Sequence, residues 1–203
     1  MNRGASTPQA AVTAAGVFAD WLEQLEAAPQ ILVGFSGGLD STVLLHLLCE
    51  LLPPERITAV HIHHGLSENA DDWQQHAKAL CQSLGVRLIS ESVVINEAGA
   101  GLESAARDAR YTVFEKQLVK NGVLLLGHHA DDQVETVLFR LLRGSGARGL
   151  SGIPQTRAVG TGHLIRPLLN KPKSSLQAYA LSRQLCWIED ESNQQQQFDR
   201  NYL

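Results

Sequence analysis

Ile31-Leu32-Val33-Gly34-Phe35-Ser36-Gly37-Gly38-Leu39-Asp40-Ser41 decides how the rest of the chain is read. An apolar run of strand length meets a glycine pair and then a largely apolar stretch of helical length. The turn between them therefore sits at a strand end and a helix start, where open α/β sheets bind ligands. Two glycines let the backbone turn tightly and approach a ligand closely. The first amides of the following helix are unpaired donors at its positive end. Such a turn suits an anion. A Walker P-loop requires Lys before its last Ser or Thr, and a dinucleotide fingerprint requires a third glycine at a set spacing. Leu39 and Asp40 precede Ser41, so neither motif fits. The plain alternative is a strand-to-helix turn capped by Ser36 or Asp40.

Working outward, residues 1–10 lack periodicity and are expected to be a disordered end. Residues 11–27 place Val17, Phe18, Trp21, Leu22 and Leu25 on one face of a single amphipathic helix. The helix after the turn, residues 39–52, is apolar on most sides and stops at Pro53-Pro54. A second strand, 57–62, ends in His61-Ile62-His63-His64-Gly65-Leu66, and Ser67 is placed to cap the next helix. Period two sets His61 and His63 on one face, near the anion site or, as the alternative, as a metal pair. Further strands are read at 86–91, 123–126 and 163–168, with a last helix from about 174 to 185. Strands alternating with helices predict an α/β fold with an open, mainly parallel five-stranded sheet and helices on both faces.

The fourth strand opens into Gly127-His128-His129-Ala130-Asp131-Asp132-Gln133-Val134-Glu135-Thr136, a second polar cluster at a strand-to-helix junction. Asp132 and Glu135 are three apart and share a helical face. The alternative is capping by Asp131, with the other acids complementing the helix dipole. Upstream, Glu103, Arg107, Arg110 and Tyr111 lie on one helical stretch, where Glu103 and Arg107 also fit an ordinary surface pair.

Charge is segregated along the 203 residues. The net charge of −4 argues against nucleic-acid binding by bulk electrostatics. Yet residues 140–173 hold seven of the seventeen Lys and Arg and no Asp or Glu, leaving ten basic residues against twenty-one acids elsewhere. The segment contains a glycine-rich loop with Arg143 and Arg148 and reads as a clamp facing a polyanion, or as a solvated loop. Cys49, Cys81 and Cys186 are odd in number and far apart, so neither a disulfide framework nor a paired-cysteine metal site is expected. No apolar run is long enough for a membrane span and no secretory signal is visible, which points to cytoplasmic localisation and no membrane partner.

The Ser-Gly-Gly-x-Asp-Ser run at 36–41 resembles the signature of the N-type ATP pyrophosphatases, the PP-loop family, whose adenine nucleotide alpha hydrolase-like fold cleaves ATP between the α and β phosphates. The remaining motifs resemble one branch of it, the tRNA(Ile)-lysidine synthetase family. They are His-x-x-His-Gly-Leu at 61–66, Ala-Arg-x-x-Arg-Tyr at 106–111, His-His-x-Asp-Asp-Gln-x-Glu-Thr at 128–136, Leu-Leu-Arg-Gly-Ser-Gly at 141–146, Arg-Pro-Leu-Leu at 166–169 and Asp-x-Ser-Asn at 190–193.

This resemblance implies ATP-dependent attachment of free lysine to the C2 position of the unmodified wobble cytidine of tRNA(Ile). An adenylated cytidine is the intermediate, and AMP and pyrophosphate are released. It implies ATP contacts at Ser36, Gly37, Gly38, Leu39, Asp40, Ser41, His61 and His64, with magnesium at Asp40. It implies catalytic roles for Asp132, Glu135, Arg107 and Arg200, and tRNA or substrate contacts at Arg110, His129, Arg143 and Arg148. Two departures stand out: His63 occupies a position where the family often carries Asn, and the Arg-Asn-x-x-Arg pattern begins at Arg200-Asn201 as the sequence reaches Leu203. Residues 11–192 are then the PP-loop domain and 193–203 the start of a linker to a tRNA-binding region absent from this chain. Competing expectations are another PP-loop tRNA modifier, such as a thiolation enzyme, and an ATP-binding fragment inactive alone. Oligomeric state is not predicted.

Overall fold

The structure is a computed structural model that describes residues 11–63, 65, 69–94, 102–144 and 151–189, without the side chains of residues 102 and 103. Its strands are β1 (Ile31–Gly34), β2 (Ile57–His63), β3 (Arg87–Ser92), β4 (Val123–Leu125), β5 (Thr156–Val159) and β6 (Gly162–Ile165). Its α-helices are α1 (Ala14–Phe18), α2 (Leu22–Ala27), α3 (Leu39–Leu51), α4 (Ala70–Leu84), α5 (Leu102–Gln117), α6 (Ala130–Leu142) and α7 (Lys173–Ser182).

The sheet runs β3-β2-β1-β4-β6-β5, parallel except for the β5–β6 hairpin at one edge. From β1 the chain moves to β2 and β3 on one side, whereas β4 lies on the other. The strand order therefore reverses between β1 and β4, and a crevice opens beyond their carboxyl ends. The Ser36–Ser41 turn leaves β1 there, and the His128–Asp132 cluster leaves β4.

Alternation along β1 explains why both faces are covered. Ile31 and Val33 join a core with Val17, Phe18, Leu44, Leu48, Ala77 and Leu176 from α1, α3, α4 and α7. Leu32 points the other way, against Val113 and Phe114 of α5. In α3, Leu44, Leu45, Leu47 and Leu48 are all fully buried. Each contributes on the order of 2 kcal/mol of apolar burial, which outweighs the absence of a side-chain cap at Gly38.

The expected α/β architecture is present, with two corrections. Six strands replace five: Thr156–Val159 forms an antiparallel edge strand, returned by a two-residue turn whose Gly160 has φ 50°. Gly followed by another residue is a hairpin signature, but Thr156, Arg157 and Ala158 are exposed and give no hydrophobic alternation to read. The single helix over 11–27 is in fact two, broken at Ala19–Trp21, although Val17, Phe18 and Leu25 are buried as expected. No helix among the described residues is long and apolar enough to cross a membrane.

Candidate active site

The first turn is held open by its own side chains. The Ser36 amide donates to Ser41 Oγ at 3.3 Å, and the two hydroxyls lie 3.1 Å apart. The Gly38 amide donates to Ser36 Oγ at 3.3 Å, while Ser41 Oγ donates to the Gly38 carbonyl at 3.1 Å. Ser36 and Asp40 are therefore not the helix cap; Gly38 holds that position. Gly37 has φ 87°, and a Cβ there would lie 2.7 Å from Ile188 Cδ1. Ile188 explains the crowding: its amide donates to the Gly37 carbonyl at 2.9 Å, and it bridges Gly38 in parallel. Behind the turn, His61 is buried, with Nδ1 3.0 Å from the Phe35 carbonyl, and burial lowers its pKa.

β4 delivers the second cluster onto the first. A Cβ on Gly127 would sit 3.0–3.2 Å from the backbone of Asp40 and Ser41, so only glycine permits this approach. His129, not Asp131, caps α6. Its Nδ1 accepts the Asp132 amide at 3.3 Å, and Asp132 Oδ2 accepts the His129 amide at 2.9 Å. With Nδ1 accepting, the ring proton is on Nε2, which points at Asp40 Oδ2, 3.5 Å away. A chain Asp40–His129–Asp132 thus crosses the crevice, joining the β1 and β4 loops. Burial raises the Asp40 carboxyl, and the nearby His129 ring and Lys173 offset part of that rise. Asp40 Oδ1 is buried with no hydrogen-bond partner. Glu135 is exposed one turn beyond Asp132 on α6.

A third group flanks His128. Arg166 at the end of β6 is the largest fully buried side chain among the described residues. It donates from Nε to His128 Nδ1 at 3.3 Å, from Nη1 to the Pro154 carbonyl at 2.7 Å, and from Nη2 to Tyr111 Oη at 3.4 Å. Burial first, and then the Arg166 charge, push His128 down to about 4, so the ring is neutral at pH 7. The guanidiniums of Arg107 and Arg157 lie 5.2 and 4.5 Å from the Tyr111 ring centroid.

Of the residues expected at the site, Ser36–Ser41, His61, His129 and Asp132 are brought together at the switch point. Arg107 and Arg110 enter from α5. Arg143 does not: it ends α6, roughly 16 Å along the helix from Asp132, with its guanidinium 4.1 Å from the Phe139 ring centroid. His64, Arg148 and Arg200 lie outside the described residues, as does Ser67. Sequence reasoning did not assign His128, Arg157, Arg166 or Ile188 to the site. Two of them carried a usable signal, His128 as the first residue of the 128–136 motif and Arg166 as the first of Arg166-Pro167-Leu168-Leu169.

A parallel sheet with a glycine-serine-aspartate turn at its switch point is the architecture of a nucleotide-handling α/β protein. The PP-loop domain family matches residues 10–203, and the chain belongs to that family. A tRNA(Ile)-lysidine synthase from Pseudomonas fluorescens is 55% identical over 174 residues, 84% of this chain and 39% of that relative. One from Legionella pneumophila is 46% identical over 185 residues, 91% of this chain and 43% of that relative. The chain thus spans about two fifths of the length of these relatives. A U34-tRNA thiolase from Methanococcus maripaludis superposes with TM-score 0.64 at 17% identity, covering 85% of this chain and 66% of the thiolase. An ammonia-dependent NAD synthetase from Campylobacter jejuni superposes with TM-score 0.55 at 18% identity, covering 85% and 72%. At these identities the two structures share the fold.

Proposed function

We propose that this chain carries the catalytic domain of a carbon–nitrogen ligase that joins free lysine to C2 of the wobble cytidine of tRNA(Ile), driven by ATP cleavage to AMP and pyrophosphate. The observation that carries the reading is the Asp40–His129–Asp132 chain. It supports the reading by bringing the Ser36–Ser41 turn and the Asp132 carboxylate to one crevice, in a sequence about half identical to named lysidine synthases.

In this reading the amides and hydroxyls of Ser36 to Ser41 hold the ATP phosphates, with Leu39 starting the helix whose positive end faces them. His61 and His64 stand on the nucleotide side. The cytidine C2 oxygen attacks the α phosphate, pyrophosphate leaves, and the lysine amine then displaces AMP at C2. A lysine amine of pKa about 10.4 is neutral in roughly one molecule in 2500 at pH 7. Asp132 and Glu135 hold the ammonium, and one of them takes a proton from it so that the neutral amine can attack C2. Arg107, with Arg200, neutralises the adenylate phosphate, and Arg110, His129, Arg143 and Arg148 contact the tRNA or substrate.

Magnesium fits the residues present. Asp40 Oδ1 is a buried oxygen without a partner, and the Asp132 carboxylate is near enough to raise the Asp40 pKa. One or two carboxylates plus phosphate oxygens are what this ion takes. Bound there, it would neutralise phosphate charge.

The test is transfer of labelled lysine to tRNA(Ile), dependent on ATP and on cytidine at the wobble position. Thiolation supported by a sulfur donor, without lysine incorporation, would replace this reading with the thiolase one. ATP binding without any transfer would leave a nucleotide-binding domain that acts only within a longer protein.

A further inference from the structure

Among the arginines around Tyr111, Arg157 faces outward and has no part in the reading above. Arg107 and Arg110 come from α5, Arg157 from the edge strand β5 and Arg166 from β6. No described Asp or Glu forms an ion pair with any of the four. Desolvation is the main cause that lowers Arg166, with smaller contributions from the charges of Arg157 and Arg107, and desolvation likewise leads in lowering Arg110, with Arg107 adding to it. Burial pushes the Tyr111 phenol up, but the guanidiniums of Arg157, Arg107 and Arg166 outweigh it and the net shift is downward.

Their roles differ. Arg166 is buried and has donors committed to His128, Pro154 and Tyr111, so it fixes the platform rather than facing a ligand. Arg107 and Arg157 are exposed, and their guanidiniums lie near the Tyr111 ring. Stacking of this kind limits guanidinium rotation and leaves the N–H edges available. Massed guanidiniums with no described carboxylate paired to them suit a tetrahedral oxyanion, which they grip in forked pairs.

We infer that Arg157, held beside Arg107 at the Tyr111 ring, offers its guanidinium to a further phosphate group, distinct from those at the Ser36–Ser41 turn and from the adenylate phosphate that Arg107 meets. The phosphate is either a backbone phosphodiester of the RNA acceptor or the pyrophosphate released from ATP. The RNA source rests on the function proposed above, while the pyrophosphate source requires only ATP cleavage. In either case Arg157 is a binding residue supplied by the hairpin at the sheet edge.

Arg157→Ala, Arg157→Lys and the unaltered chain are titrated with an RNA hairpin carrying a cytidine in its loop, over a salt series, and separately with inorganic pyrophosphate by calorimetry. Arg157 is exposed, so the thermal midpoint is expected to hold. If RNA is the source, Arg157→Ala weakens hairpin binding about 3- to 10-fold, reduces the salt slope by about 0.7–0.9, and Lys restores the slope. If pyrophosphate is the source, its affinity falls instead and the RNA slope is unchanged. Unchanged affinities and slope in Arg157→Ala overturn the proposal, as does failure of the unaltered chain to bind either probe. Neither titration contains lysine, so failure of the lysine-transfer reading is read separately.

Discussion

The β1 side of the crevice and the α5–β5 side prepare for negative charge by different means. At β1 the donors are backbone amides, shaped by Gly37 and held by Ser36 and Ser41 within a short stretch of chain, with the distant Ile188 amide clasping the Gly37 carbonyl. At α5–β5 they are guanidiniums from separate segments gathered on Tyr111 and propped by the buried Arg166. A backbone-built site tolerates little change in shape, because its donors cannot move independently of the chain. A side-chain-built site tolerates changes of shape but depends on every strut that aims a charge. Asp132 joins the two, tied through His129 to Asp40 and acting on His128 beside Arg166.

Breaking that junction should have the largest effect. Asp132→Asn keeps an oxygen to accept the His129 amide but loses the charge, and lysine transfer is expected to fall by about 10²- to 10⁴-fold, measured in single turnover. Arg166→Ala removes three donor contacts and leaves the arginine-side platform unsupported. A loss of roughly 2–4 kcal/mol in urea unfolding is expected, together with weaker RNA binding.

Gly127→Ala tests the backbone side, since its Cβ would press on Asp40 backbone atoms at 3.0–3.1 Å. About 1–2 kcal/mol of destabilisation is expected, with a raised KM for ATP and unchanged hairpin binding. The last test is a pH signature. His128 is held near 4 in the folded chain against an ordinary value of 6.5. The unfolded state therefore binds more protons between those values, and stability should fall as pH drops from about 6.5 towards 4. His128→Gln should flatten that part of the stability profile in denaturant titrations.

The backbone side was also the legible one. Strand period, glycine pair and helix start lie in one continuous run from Ile31 to Ser41, so the turn's place between a strand end and a helix start could be read directly. The Asp132 and His129 cluster could be placed at a neighbouring strand end for the same reason, although the capping role of His129 depends on a ring orientation that spacing does not encode. Arg157 could not be placed. Its strand is short, exposed and antiparallel, and its partner Tyr111 is some 46 positions away. Ile188 was hidden for a similar reason, since a single bridge to Gly38 leaves no periodicity.

That bridge has a consequence for how the protein is made. Gly37 and Ile188 are about 150 residues apart, so their contact is among the most non-local in the chain and forms late in folding. On the ribosome, β1, α3 and β2 can collapse together while the chain is still short. The phosphate turn cannot acquire its Ile188 clasp until the segment after α7 has emerged. Synthesis thus assembles the sheet before it completes the Ser36–Ser41 turn.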